Sequence, residues 1–407
     1  MRTIKASGLV RAAGVLLGIT FAGIAAAEDV GSITLFGQEY QVQRFDYAQD
    51  VGWPDPLDPN FSLLLLECEG AHWLGNDRLL LSSDAGDSQL SLKNWVVEVE
   101  IVRDSGGDAT GLRYVRTVLV NDPQDPEFGG FDLSPCGVTV NSSNDGLAAG
   151  GNLLIGDSEV NGVKGYTFPP GGLAQNLGDF SGGTANDSFD DMAFCPTDNL
   201  IYTINEDGFR LVSFTTGGAV VASAPIPGLT ALNQLAVPGS PKGMTYLADV
   251  ETVPASIRRP GGVMLVTLDD NNPGLQAIDL AGNVVGTEPL TNNAIIGGVS
   301  FLDQGGACGN QLQLEAAAFD AITGTIFLIN ESSFIDCAGF FILTPIAPTC
   351  GCAADYNGDG GVDGSDVEAF FTEWSTSEGC ADVDQSGGID GSDIEAFFGV
   401  WSAGGCL

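Results

Sequence analysis

Glu69-Gly-Ala-His-Trp73 leads on to Leu79-Leu-Leu-Ser-Ser-Asp84, so a small acidic-then-aromatic run is followed within 15 residues by an apolar run ending in a carboxylate. The pattern returns twice. Asp191-Met-Ala-Phe194 leads to Ile201-Tyr-Thr-Ile-Asn-Glu206, and Glu315-Ala-Ala-Ala-Phe319 leads to Ile326-Phe-Leu-Ile-Asn-Glu331. Looser copies run from Asp145-Gly-Leu-Ala to Asp157 and from Gln234-Leu-Ala-Val to Asp249. Two short apolar runs joined by turn residues read as a β-hairpin. In an antiparallel hairpin the start of one strand and the end of the next lie together, which pairs Glu69 with Asp84, Asp191 with Glu206 and Glu315 with Glu331.

One or two further strand-like runs follow each hairpin, such as Trp95 to Val102 and Tyr114 to Val120, or Phe209 to Phe214 and Ala219 to Ala222. Four strands per unit, recurring every roughly 40 to 50 residues, is the signature of β-propeller blades. Residues 28–347, rich in Gly, Val, Leu and Thr and poor in helical patterns, therefore resemble a mainly β propeller domain. Five units start near residues 69, 145, 191, 234 and 315, and the gaps at 121–144 and 283–314 leave six or seven blades open. The last unit lacks a fourth strand, which Ser32 to Phe36 or Tyr40 to Phe45 can supply by closing the ring. A β-sandwich is the alternative architecture. With the first strand of each blade innermost, Glu69, Asp191, Glu206, Glu315 and Glu331 gather at one mouth of the channel. Such a rim can bind Ca²⁺, grip a cation, or work as a paired acid and base on a glycosidic bond. These carboxylates are the candidate catalytic residues, and solvated turn residues are the plainer reading.

The C-terminal end carries a different pattern. Residues 355–366 read Asp-Tyr-Asn-Gly-Asp-Gly-Gly-Val-Asp-Gly-Ser-Asp, and 27 residues later 382–393 read Asp-Val-Asp-Gln-Ser-Gly-Gly-Ile-Asp-Gly-Ser-Asp. Oxygen donors at positions 1, 3, 5, 9 and 12, with the carbonyl at position 7, suit a hard cation such as Ca²⁺. They are Asp355, Asn357, Asp359, Asp363 and Asp366 with Gly361, then Asp382, Asp384, Ser386, Asp390 and Asp393 with Gly388. Gly360 and Gly387 stand at position 6, where the loop turns sharply. After each loop Val367, Phe370, Phe371 and Trp374, and Ile394, Phe397, Phe398 and Trp401, recur at helical spacing and make an apolar stripe.

Residues 348–407 thus resemble the dockerin domain, whose loops end in Asp and whose repeats lack an entering helix. The resemblance implies a small α-helical module holding two Ca²⁺ ions and a protein partner such as a cohesin. In that family recognition uses loop positions 10 and 11, here Gly364-Ser365 and Gly391-Ser392, so near-equivalent faces would permit two docking orientations. The basic residues of classical dockerin helices are missing, since residues 350–407 contain neither Lys nor Arg, which points to a divergent receptor.

At the N-terminus Arg2, Lys5 and Arg11 precede an apolar run from Val15 to Ile24 and the small residues Ala25-Ala26-Ala27. This reads as a secretory signal of residues 1–27 cut after Ala27, with an uncleaved anchor as the alternative. No later stretch has the roughly 20 apolar residues of a transmembrane helix. Beyond the signal, 11 Lys and Arg face 53 Asp and Glu, a net charge of −42. A surface so acidic excludes nucleic acid and disfavours anionic membranes. In an oxidising compartment Cys350, Cys352, Cys380 and Cys406 bracket the two loops and are expected to form two disulfides, and Cys308 can bridge Cys337. Cys68, Cys136 and Cys195 leave at least one thiol over. His72, the only histidine, reads as a packing residue because no histidine cluster or second base accompanies it.

The sequence therefore describes a secreted or cell-surface calcium-binding modular protein, a glycan- or surface-associated binding and assembly protein. The alternative is a polysaccharide-degrading glycoside hydrolase or lyase using the acidic rim. A calcium-dependent phosphoesterase is a third reading, opposed by the scarcity of cationic residues in the hairpins.

Overall fold

The computed structural model describes residues 24–46, 53–54, 62–63, 68–83, 94–105, 107, 109–121, 135–140, 153–157, 162–171, 173–179, 189–205, 210–226, 241–268, 274–290, 295–296, 299–300, 314–330, 339–346, 353–357, 361–376, 379–384 and 388–403. Five four-stranded antiparallel units follow one another along the chain. Blade 1 runs from its inner strand Cys68–Gly75 through Arg78–Ser83 and Asn94–Arg103 to Ala109–Asn121. Blade 2 spans Pro135–Val140 to Asn176–Asp179, blade 3 Phe189–Cys195 to Val220–Pro225, and blade 4 Pro241–Leu247 to Val284–Pro289. Blade 5 contributes Leu314–Asp320, Thr325–Asn330 and Gly339–Pro345, and the N-terminal strand Gln38–Asp46 completes it.

The blades are held by five apolar cores, one at each interface. Period-two alternation explains how a continuous apolar run serves two of them. In blade 1, Leu79 and Leu81 face blade 5 while Leu80 faces blade 2. In blade 4, Val263 and Leu265 pack on blade 5, and Met264 and Val266 on blade 3. In blade 5, Ile326 and Leu328 turn to blade 4, and Phe327 and Ile329 to blade 1. Each such side chain, taken fully from water, contributes about 1.5–3 kcal/mol. A one-residue slip would exchange the two cores, so register is strongly specified.

Ring closure uses both N-terminal runs. Gln38–Asp46 pairs with Gly339–Pro345, and Ile24–Leu35 folds back on it as the outer arm of a hairpin. Ile24, Ala25 and Ala26 also pair with Arg113, Leu112 and Gly111 of blade 1, joining blades 5 and 1 into one nine-stranded sheet. Ile24–Leu35 crosses the point expected for signal cleavage, and a cut after Ala27 would remove this bridge while leaving the pairs from Glu28 onward. At the hairpin turn Phe36 is buried with φ 54°, a left-handed conformation unfavourable for a bulky residue. Blade 4 holds it there. The Glu288 carboxylate accepts the Phe36 N–H at 2.6 Å, and the Ser256 hydroxyl donates to its carbonyl at 2.6 Å.

Two of the expected unit starts differ from what is observed. Residues 145 and 234 lie outside the described residues, and the inner strands of blades 2 and 4 are Pro135–Val140 and Pro241–Leu247. In blade 4, Asp249 opens a long turn-rich connection to Val263, in which Val253 and Ile257 are buried, instead of ending a hairpin. The gap at 121–144 holds blade 2's inner strand, and that at 283–314 holds blade 4's outer strand Val284–Pro289 and the short pair Ile295–Ile296 and Val299–Ser300. Among the described residues no helix is long and apolar enough to cross a membrane.

The C-terminal region forms two 13-residue helices, α1 (Gly364–Thr376) and α2 (Gly391–Ala403), around a core of Phe370, Phe397 and Ala381. Phe370 and Phe397 stack with centroids 4.1 Å apart and planes 2° from parallel.

Candidate functional site

The first candidate site is the mouth of the channel. Every inner strand carries a register irregularity near its start. The extra residue is Glu69 in blade 1, Cys136 in blade 2 and Glu315 in blade 5, and the bulge takes in Asp190-Asp191 in blade 3 and Lys242-Gly243 in blade 4. A bulge twists a strand and re-aims the side chain it releases. Three of the five sequence candidates, Glu69, Asp191 and Glu315, therefore occupy equivalent places, while the other two, Glu206 and Glu331, lie outside the described residues, as does Asp84, the expected hairpin partner of Glu69.

Asp191 is 2% exposed, and its carboxylate accepts the backbone N–H of Met192 at 2.8 Å and that of Met244, on blade 4, at 2.9 Å. It joins the inner strands of neighbouring blades. Blade 4 has Gly243 at the corresponding place because a Cβ there would stand 2.4 Å from the Glu315 carbonyl and from the Ala316 Cα. The Thr267 hydroxyl accepts the Gly243 N–H at 2.6 Å. Glu315 is 4% exposed, and Glu69 is half-buried.

The opposite half of the inner strands lines a half-open cavity of about 330 Å³. His72, Trp73, Met192, Phe194, Tyr246 and Phe319 are among its lining. Trp73 stacks on Phe327 with centroids 4.9 Å apart. His72 stands 3.4 Å from the Thr139 hydroxyl through Nδ1, and desolvation lowers its pKa to about 4, so the ring is neutral at physiological pH. Beside the cavity, the Tyr246 hydroxyl donates to the Gly261 carbonyl at 2.9 Å and shares a hydrogen bond with Thr197 at 2.7 Å. Burial raises the pKa of the Cys195 thiol, as a packed structural cysteine requires. The aromatic walls were visible in the hairpins as the residues after each leading acid, but nothing local gave those residues a common destination.

The second candidate site is the pair of acidic loops. Among the described residues, the one group of three carboxylates with oxygens within 4.8 Å of one another is Asp382, Asp384 and Asp393, at positions 1, 3 and 12. Asp366 and Asp393 are fully buried in the first turns of α1 and α2. Asp366 accepts the N–H groups of Asn357 at 3.2 Å and Asp363 at 2.8 Å, and Asp393 those of Asp384 at 3.2 Å and Asp390 at 2.7 Å. Asp363 takes the N–H and hydroxyl of Ser365, and Asp390 those of Ser392, which hold both carboxyls below their usual range. Asp359 and Ser386 lie outside the described residues.

The two units exchange contacts across a local pseudo-twofold axis. Trp374 donates its indole N–H to the Asp390 carbonyl at 2.9 Å, and Trp401 donates to the Asp363 carbonyl at 3.0 Å. On the outer surface Phe371 and Phe398 are 36% and 37% exposed, with centroids 6.2 Å apart. Tyr356 breaks the symmetry: its ring meets Phe370 and Phe397 edge-on, and its hydroxyl donates to Glu373 at 2.6 Å. Cys380, whose N–H donates to the same carboxylate at 2.9 Å, is disulfide-bonded. Cys308, Cys337, Cys350, Cys352 and Cys406 lie outside the described residues.

No family model and no curated protein matches the chain. Among solved structures it is similar to a gluconolactonase from Xanthomonas campestris, at 15% identity over 80% of this chain and 98% of that one, TM-score 0.35. It is also similar to virginiamycin B lyase from Staphylococcus aureus, at 10% identity over 80% and 96%, TM-score 0.35. A streptogramin B lyase overlaps at 10% identity over 74% and 98%, TM-score 0.37. Overlap at this level says nothing about activity.

Proposed function

We propose that this chain is a calcium-dependent docking protein that acts outside the cell or at its surface. A dockerin-like C-terminal module would hold two Ca²⁺ ions and tether the propeller, as a binding platform, to a protein receptor. The observation that carries the reading is the convergence of Asp382, Asp384 and Asp393 within 4.8 Å. Oxygens bound to one Ca²⁺ at 2.3–2.6 Å stand at most about 5 Å apart, so these three fit one ion. Residues 350–407 contain no Lys or Arg to offset the clustered charge, and a bound cation would supply that neutralisation.

Asp382, Asp384, Ser386, Asp390, Asp393 and the Gly388 carbonyl would hold one ion. Asp355, Asn357, Asp359, Asp363, Asp366 and the Gly361 carbonyl would hold the other. The protein's own part would be to hold position 12 of each loop in place, for which Asp366 and Asp393 are anchored to the N–H groups of positions 3 and 9. Phe371 and Phe398, presented side by side, supply an apolar centre for the receptor contact. Calorimetric titration of the chelator-treated full chain is expected to show two Ca²⁺ per chain, and one fewer in Asp382→Ala. Absence of calcium uptake by the wild type would sink the metal reading. Receptor capture from surface extracts that persists equally in chelator would sink the calcium-dependent docking.

A further inference from the structure

The inner-strand cavity is independent of the C-terminal module and has a chemistry of its own. Its volume of about 330 Å³ falls in the range of small-molecule pockets. All five inner strands contribute to its wall, and no Asp, Glu, Lys or Arg is among the lining residues described. An ion entering would lose part of its hydration without gaining a countercharge, which is unfavourable. Aromatic side chains, the half-buried Trp73, Phe194 and Tyr246 with Phe319, offer flat, polarizable surface instead, while the Met192 and Met244 side chains pack into the cores between blades. Ring faces favour planar aromatic partners. His72, the only histidine in the chain, also stands on the wall. Desolvation keeps its imidazole neutral, so it offers a hydrogen bond without a charge.

We propose that the inner-strand cavity binds an uncharged, predominantly aromatic small molecule, with the His72 imidazole making one hydrogen bond to it. A channel serving only to pack the blades would have no selectivity among neutral probes, whereas this wall distinguishes a ring system bearing a polar group from a plain hydrocarbon.

The test uses the calcium-loaded full chain and two neutral probes, N-phenyl-1-naphthylamine and naphthalene, followed by fluorescence. Saturable binding of the amine at one site per chain is expected. Val140→Trp, which fills the cavity from blade 2, should weaken both probes at least tenfold. His72→Leu, which keeps the volume and removes the polar contact, should weaken the amine about tenfold and leave naphthalene within twofold. Exposed controls Val221→Ser and Ile322→Ser should change neither probe. The proposal is overturned if wild type shows no saturable binding, or if His72→Leu leaves the amine unchanged. Val140→Trp is scored only if its circular dichroism matches wild type, and the His72→Leu comparison decides the matter on its own.

Discussion

Replacing Asp191 should damage the ring far more than removal of a surface carboxylate would. Its two oxygens accept N–H groups of Met192 and Met244 at 2.8 and 2.9 Å, and Asp191 and Met244 are both 2% exposed. Hydrogen bonds to a charged acceptor contribute about 1.5–3 kcal/mol each, and a buried N–H left without an acceptor adds a desolvation penalty of the same order. Asp191→Ala is therefore expected to cost about 3–5 kcal/mol. Asp191→Asn keeps one acceptor oxygen but turns an NH₂ group toward the other N–H, so about 2 kcal/mol should be lost. Equilibrium urea unfolding of the full chain measures both. With a slope of about 3 kcal/mol per molar, the alanine variant's midpoint should fall by on the order of 1 M. Unfolding of Asp191→Ala within about 0.5 kcal/mol of wild type would refute the inter-blade role. A carboxylate held for chemistry predicts the opposite pattern, with stability retained and turnover lost.

Gly243→Ala should destabilise by about 3 kcal/mol in the same assay, because its Cβ would meet blade 5 backbone at 2.4 Å. Desolvation lowers the His72 pKa to about 4 from the ordinary 6.5 of histidine, so the unfolded chain takes up the proton first. Its contribution is complete above pH 6.5 and is lost as pH falls toward 4; the loss is at most about 3 kcal/mol and should be absent from the matching profile of His72→Phe. Phe370→Ala removes one half of the stacked pair at 4.1 Å and should cost about 3–5 kcal/mol, enough to unfold the C-terminal helices, as followed by Trp374 and Trp401 fluorescence.

The hairpins of blades 1, 3 and 5 were legible because their strands pair over a few intervening residues and alternate between two buried faces. Blades 2 and 4 were displaced in the reading. Their inner strands carry no acid at the bulge, with Cys136 and Gly243 standing where the other three have carboxylates, so the leading-acid pattern had nothing to mark. The closing strand was legible as a run without a partner, and so were the helix stripes that place Phe370 against Phe397.

By itself, then, the sequence determined what depends on near neighbours: strand period, helical stripe and loop spacing, while the five units of the structure settle a count that the sequence left open to six or seven. Tertiary structure decided what those residues face. It turned Asp191 from an expected rim acid into a partner of Met244, 53 residues away, and sent Phe36 across 252 positions to Glu288. It also gathered the aromatic residues of separate inner strands around one cavity beside His72. Alternation specifies that a side chain is buried, because burial is set by the period of its own strand. Which neighbour receives it depends on the packing of one blade against the next, and strand period is the same for every blade.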